Sequence, residues 1–347
     1  MQSKSMRIAY AHFAVGGKWK GDYMGRWIKI ALVSLCVVFA FALAGCQQEK
    51  QEPQSDVDAM KEASTDKAAG AETEPFYTLI VGNDSRTGTV EIDKADYADG
   101  SGRADTIMLA RIDPKTYQVT LVTVPRDTEV DLNGSPNKIN EVYHQGGIEA
   151  LVKEVESLTG VTIKYYFDTG FVEFENFINA LGGITAEVPI DMNLQDIVSG
   201  NEISLPAGSQ DLNGAESLVL ARVRKLYAYD LDACRQIQDR QIVAVAIQKV
   251  AENPETVDAA VAALTEHAKT NWPVDGLKAT IASFVDHASE LSILSGTGPY
   301  AGDFNDNAGG LWLTYRDEGV WSEVISVIDA GGDPTSVVAL PEIVPVG

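Results

Sequence analysis

The side chains in this chain best suited to chemistry are Asp84 and Asp105, with Arg86, Arg103 and Arg126. They fall in three islands: Gly82-Asn83-Asp84-Ser85-Arg86, Arg103-Ala104-Asp105-Thr106 and Val124-Pro125-Arg126-Asp127. A magnesium ion asks a protein for one or two carboxylates and takes its remaining oxygens from phosphate and water. Arginine presents a planar fork of donors that matches phosphate oxygens. Together the two residue types point to a divalent metal and a phosphate. The plainer reading is that the aspartates cap turns, being placed after Gly and before Thr, and that the arginines pair with surface carboxylates. Further arginines stand at 222, 224, 235 and 240. Arg222 and Arg224 alternate, so they share a face on extended backbone but not on a helix. No Ser-His-Asp or Cys-His set is visible, and phosphoryl transfer requires none, because it rests on positioning and charge neutralisation.

The elements around the islands must bring them together. The apolar run Tyr77–Val81 reads as a buried strand stopped by Gly82. Asp84 and Arg86 then lie just past its C-terminal end, where open α/β sheets place their chemistry. Thr106–Ile112 and Tyr117–Val124 flank the turn Asp113-Pro114-Lys115-Thr116 and read as a hairpin. Asp105 opens it and Arg126 closes it at the same end. If the first strand joins that sheet, Asp84, Asp105 and Arg126 converge. Downstream, Lys138-Ile139-Asn140 reads as polar loop. Ile148 to Leu158 follows helical spacing up to Gly160, and Val161–Phe167 is a strand. Phe171–Leu181 is an amphipathic helix closed by Gly182-Gly183, and Ile184–Val188 a further strand. Residues 191–214 read as loop-rich, with Pro206-Ala207-Gly208 and Asn213-Gly214 as turns, Ala215–Arg222 and Asp232–Ala251 as helices, and the chain beyond Asn253-Pro254 as helical to about Leu291. Residues 296–310 read as Gly-rich loop, and Trp321–Ile328 as a last helix. The pattern predicts an α/β (α+β) fold, with a central mixed sheet flanked by helices.

The chain has 347 residues, with 27 basic and 50 acidic side chains, a balance that argues against a nucleic-acid partner. The basic residues Lys4, Arg7, Lys18, Lys20, Arg26 and Lys29 precede or enter the apolar run Ile28–Leu43, which ends Leu43-Ala44-Gly45-Cys46. This reads as a secretory signal over residues 1–45, with Met24 as its natural start. Leu-Ala-Gly-Cys resembles a bacterial lipobox, which implies cleavage before Cys46 and a lipid on its sulfur. The alternative is an uncleaved membrane anchor. Residues 46–74 are polar, without apolar period, and read as a flexible acidic tether. Only Cys234 remains in the mature domain, so no internal disulfide forms there. Residues 75–252 make the catalytic domain, and 253–347 a helical extension packed on it.

Taken in order, the islands resemble the LytR-CpsA-Psr family of cell-wall proteins. The matching pieces are the three above, Arg111-Ile112-Asp113-Pro114, Lys138-Ile139-Asn140, Ala180-Leu181-Gly182-Gly183-Ile184, Leu212-Asn213-Gly214, Ala221-Arg222-Val223-Arg224 and Thr270-Asn271. The resemblance implies an extracytoplasmic, lipid-anchored phosphotransferase. Such an enzyme moves a glycan phosphate from an undecaprenyl-pyrophosphate carrier to a peptidoglycan sugar hydroxyl. It implies Mg2+, or Mn2+ in its place, on Asp84 and Asp105, with Arg126 completing the catalytic set. It implies a pyrophosphate held by Arg126, Arg222 and Arg224 with Arg86, Arg103 and Lys138 close by, and a prenyl tail in an apolar lipid pocket walled by Phe171–Leu181. The family pattern Asp-x-x-Arg-x-x-Arg-Gln is stretched by two residues here. Arg240-Gln241 is therefore taken as its match, with Arg235 left open. The segment between Arg86 and Arg103 carries an acidic insert, Glu91 to Asp99. Rival readings are a prenyl-pyrophosphate hydrolase and a non-enzymatic polyprenyl-lipid-binding or regulatory protein.

Overall fold

Alternation along β1 (Phe76–Asn83) sends Leu79 and Val81 to one side and Thr78 and Ile80 to the other, and both sides are covered. The computed structural model describes residues 70–93, 102–227 and 231–345. Met24, the signal, Cys46, most of the tether and the acidic insert beyond Asp93 lie outside the described residues.

β1 pairs antiparallel with β2 (Ala104–Asp113), which pairs antiparallel with β3 (Gln118–Thr123), so the expected hairpin is present. Two short strands, β4 (Glu129–Leu132) and β5 (Ser135–Lys138), lead into α1 (Ile139–Thr159). β6 (Ile163–Thr169) then joins the other side of β1 in parallel. The sheet's outer strands come from far along the chain. β11 (Lys269–Thr270) pairs with β6, and β12 (Ser292–Thr297) runs parallel to β3. The result is a six-stranded mixed sheet, β11-β6-β1-β2-β3-β12, flanked by helices. α1 and α7 (Glu318–Asp329) cover the Leu79–Val81 face, with Ile148, Leu151, Trp321 and Val324 fully withdrawn from water. The opposite face carries α4 (Leu231–Glu252) and α6 (Val274–Asp286), with α2 (Phe171–Ala180) and α5 (Val257–His267) beside them.

Three expectations are corrected. Residues 191–214 are not mainly loop. They hold β8 (Met192–Gln195) paired with β9 (Glu202–Leu205), and β10 (Gly208–Leu212) paired with β7 (Ile184–Val188). These strands are short and half exposed, so their apolar alternation is too brief to register. Lys138-Ile139-Asn140 is not a polar loop either. Lys138 ends β5, and Ile139 starts α1 because its side chain enters the core. The Gly-rich stretch contains the end of β12 and the hairpin β13 (Gly302–Asn305)–β14 (Leu311–Thr314). Its glycines serve close packing. A Cβ on Gly296 would sit 2.5 Å from Pro334, and one on Gly298 would overlap the ring of Trp321. Because Trp321 is fully buried, it cannot yield cheaply. Gly298→Ala is expected to cost about 1–3 kcal/mol, the usual penalty of overpacking. Thermal unfolding should show a lowered midpoint, and an unchanged midpoint would mean that this contact is looser than it looks.

Candidate active site

The site begins at an irregularity in the β1–β2 ladder. Gly82 faces Thr106 and Asn83 faces Ala104, which leaves Asp105 with no residue opposite. Such a bulge bends the strand and re-aims a side chain. Asp105 is the re-aimed residue, and its carbonyl accepts a 2.6 Å bond from Arg235 Nη2. Arg126 comes from the loop after β3. That loop is clamped by Thr128, which donates to Pro125 O, and by Asn140 and Ile139, whose amides donate to Arg126 O and Thr128 O. The Arg126 side chain therefore reaches a fixed point: Nη1 lies 2.6 Å from Asp105 Oδ1 and Nε 2.9 Å from Asp232 Oδ1.

α4 completes this half. Asp232, Arg235, Gln236 and Asp239 follow i, i+3, i+4, i+7 and share one face. Arg235 is buried. It binds Asp232 at 3.1 Å, Asp239 at 2.5 Å and the Thr106 hydroxyl at 3.2 Å. Thr106 in turn donates to Asp239 at 2.7 Å. Burial opposes the charge on Asp232, but Arg235, Arg126 and Arg224 outweigh it and hold the carboxyl at about 2. Burial likewise opposes the charge on Arg126, and Asp232 and Asp105 overcome it, raising its pKa.

The second half stands on the loop after β1. Asp84 is buried and its Oδ1 accepts the Arg103 amide at 2.6 Å, while its own amide donates to Arg103 O. Gly102 lets the two segments approach, since a Cβ there would lie 2.7 Å from Ser85 N. The Arg86 guanidinium lies 4.0 Å from Asp84 and 3.9 Å from Glu91, over the Phe171 ring at 5.2 Å. Arg222 sits on the same ring at 4.9 Å. It ends α3 (Gly214–Arg222), a helix started by the Asn213–Glu216 capping box. Val223 is extended, so the chain turns out of the helix between the two arginines. Arg222 meets Arg86 and Arg224 meets Asp232, at 3.8 Å. Burial and then Arg86 lower the pKa of Arg222, and burial and then Arg126 lower that of Arg224. Asp105 acts on both from between the halves.

The structure thus gathers Asp84, Asp105, Arg86, Arg126, Arg222 and Arg224. The Arg103 side chain turns to Glu141 at 2.8 Å, and Lys138 pairs with Asp127 at 2.8 Å. Arg240 lies elsewhere. α4 is unbroken, so at about 100° per residue a position five along points about 140° away from Arg235. The Arg240 guanidinium bonds Thr123 and Ser295, and its burial lowers its pKa to about 10. Gln241 donates to Glu187 O. The residue on the cluster's face is Arg235. Gln236 and Asp239, absent from the sequence reading, carry one signal that could have found them, their spacing of i+4 and i+7 from Asp232 within the polar first half of α4.

Asp84 and Asp105 offer hard carboxylate oxygens, and Asp105 commits only Oδ1 to Arg126. That donor set fits a small divalent cation completed by phosphate oxygens. Among the described residues no group of three or more His, Cys, Asp and Glu is arranged to hold a metal alone. Between the sheet and α2, α4, α5 and α6 lies a cavity of about 250 Å³, walled by Ile80, Ala110, Phe177, Val243, Ile247 and Phe284 among others. Among the described residues no helix is long and apolar enough to cross a membrane.

Comparison with known proteins gives concordant results. The family model described as "LytR_cpsA_psr family" matches residues 39–314. Over 214 residues the chain is 30% identical to the polyisoprenyl-teichoic acid–peptidoglycan teichoic acid transferase TagV of Bacillus subtilis, covering 59% of this chain and 54% of that protein. It therefore spans about half the length of that relative. It is 25% identical to TagU of Bacillus mycoides, covering 75% of this chain and 80% of that one. The crystal structure of B. subtilis TagV superposes with a TM-score of 0.61 at 25% identity, covering 78% of this chain and all of that chain.

Proposed function

Because the chain belongs to the LytR-CpsA-Psr family, we propose that it is an extracytoplasmic glycopolymer phosphotransferase, moving a glycan phosphate from a prenyl-pyrophosphate carrier to a sugar hydroxyl of peptidoglycan. The hydroxyl oxygen bonds to the glycan-bearing phosphorus, the bridging bond to the prenyl phosphate breaks, and the hydroxyl proton is released to water. The TagV and TagU relatives are named as transferases of teichoic acid from a polyisoprenyl carrier to peptidoglycan, which supports the reading at the level of glycopolymer transfer. The observation that carries the reading is Arg222. Its guanidinium is half-buried beside that of Arg86 and has no ion pair among the described residues. Arg86 already meets Asp84 and Glu91, so the charge still to be balanced is that of Arg222, and a pyrophosphate spanning Arg222, Arg86, Arg224 and Arg126 would balance it.

Asp84 and Asp105 would hold Mg2+ or Mn2+, which neutralises charge on the phosphates when bound. Arg126 orients the phosphate through its fork, and Asp232 and Arg235 fix Arg126 and the Asp105 bulge. Arg240 and Gln241 stand outside the phosphate cluster in this reading, and Arg235, on the cluster's face, buttresses it without touching phosphate. The apolar cavity suits the first isoprene units of the carrier, and the lipobox at Cys46 agrees with work at the membrane face.

The test is transfer from a short prenyl-pyrophosphate glycan to peptidoglycan fragments. Asp105→Ala is expected to abolish divalent-dependent transfer, with the melting temperature checked alongside. Free glycan phosphate released without acceptor would mark a hydrolase instead. Wild-type turnover by Asp105→Ala would remove the assigned role.

A further inference from the structure

α2 opens with Phe171, and three observations set this ring apart from the rest of the helix. The first is its surroundings. Phe174 and Phe177 line the apolar cavity and pack against the cluster that holds Ile178 and Leu181, as the whole stripe was expected to do. Phe171 is not part of that wall among the described residues. Its ring instead meets the guanidinium of Arg222 at 4.9 Å and that of Arg86 at 5.2 Å. The second is where those arginines come from. Arg86 stands on the loop after β1 and Arg222 at the end of α3, so the ring is a point shared by two distant segments. Their charges repel, and the negative face of an aromatic ring attracts a cation within about 6 Å of its centre. Arg86 also has Asp84 and Glu91 at 4.0 and 3.9 Å. Arg222 has no ion pair among the described residues, so the ring offsets part of the cost of its burial. The third is chemical. A carboxylate in the ring's place would hold a guanidinium by accepting its N–H groups and would cancel its charge. A ring attracts the charge without being an ordinary hydrogen-bond acceptor, so the donors of Arg222 stay available to phosphate oxygens.

We propose that Phe171 is a positioning residue for the pyrophosphate: its ring holds Arg222 and Arg86 in place and leaves the charge of Arg222 uncompensated until the anion binds. It acts through the two arginines. The inference rests on the phosphotransfer reading in taking the anion to be a pyrophosphate. Phe174 follows three residues later on the same helix, about 4.5 Å further along its axis, and already belongs to the apolar wall. Phe171 thus stands at the border between the charged cluster and the cavity. A leucine at this position keeps an apolar side chain but has no π face, so it removes the attraction while leaving the border apolar.

The experiment uses the full chain in detergent, with inorganic pyrophosphate as the probe and binding followed by calorimetry at fixed Mg2+. Phe171→Leu is expected to weaken binding by about tenfold, the scale of a partly desolvated cation–π contact. Phe171→Tyr keeps the ring and should bind within about threefold of wild type. A graded series separates electrostatics from shape. Phenylalanines carrying one, two and three ring fluorines are placed at position 171 by codon suppression. Fluorine barely alters the size of the ring but drains its negative face, so affinity should fall stepwise along the series. A ring that serves only as packing would give a flat series. A flat series, or equal binding by wild type and Phe171→Leu, overturns the positioning role and leaves the pyrophosphate site standing. No binding by wild type removes the anion site and the proposal with it. In a second arm, transfer from the prenyl-pyrophosphate donor is measured. The donor's kcat/KM should follow the same fluorine series while the acceptor KM stays constant. Graded pyrophosphate binding without any wild-type turnover would remove the transferase reading and leave the role of Phe171 in anion binding intact.

Discussion

Arg126→Ala is expected to lower kcat/KM for transfer by at least about a hundredfold. A hydrogen bond to a charged group is worth about 1.5–3 kcal/mol, and Arg126 is placed to give two through its fork. Each 1.36 kcal/mol is a factor of ten in rate, so losing both passes a hundredfold even at the low estimate. The substitution also releases Asp105 and Asp232 from the 2.6 and 2.9 Å contacts that fix them. Arg126→Lys keeps the charge and loses the fork, so it should recover only part of the rate. Arg222→Ala should fall comparably, because Arg222 contributes a charge without an ion pair among the described residues. Steady-state transfer kinetics with both substrates varied check this. Activity within threefold of wild type in both alanine variants would remove the pyrophosphate from this cluster.

Arg235→Ala is expected to show its largest effect in stability. Arg235 satisfies Asp232, Asp239, Thr106 and the Asp105 carbonyl from a position almost without solvent. Removing one partner of a buried ion pair typically costs about 3–5 kcal/mol, because the stranded carboxylate keeps its desolvation penalty. Replacing both partners by apolar residues is often close to neutral, so Arg235→Met with Asp239→Leu should recover much of the loss. Urea denaturation of the three proteins measures this. A single variant within about 1 kcal/mol of wild type would show that water reaches the pair.

The sequence disclosed the centre of the fold and less of its margins. β1 and the β2–β3 hairpin were legible because each is a long apolar run bounded by Gly82 or Pro114. β8 to β10 were not, because four or five half-exposed residues carry little alternation. β12 was hidden by Gly296, a residue set by the nearness of Pro334, which no local pattern reveals. At the site, Asp84, Asp105 and Arg126 followed from their places at strand ends. The bulge that frees Asp105 could not be foreseen, since register depends on both strands. The choice of Arg240 over Arg235 followed motif spacing, whereas the unbroken α4 favours helical phase. A pattern match tolerates two extra residues; a helix does not, because each one turns the face by about 100°.

The sheet's sixth strand has a bearing on how the chain reaches this structure. β12 pairs with β3 from far along the sequence, and α7 behind it seals the opposite face with Trp321. Non-local pairings of this kind raise contact order and slow folding, since a long loop must close before its contacts form. During synthesis, β3 therefore emerges with its outer row of amides and carbonyls unpaired until residues 292–297 arrive. An unpaired strand edge is a template for aggregation. Arg240, which bonds Thr123 on β3 and Ser295 on β12, ties that late junction. Its side chain fastens the two strands of that junction to each other in addition to the ladder between them.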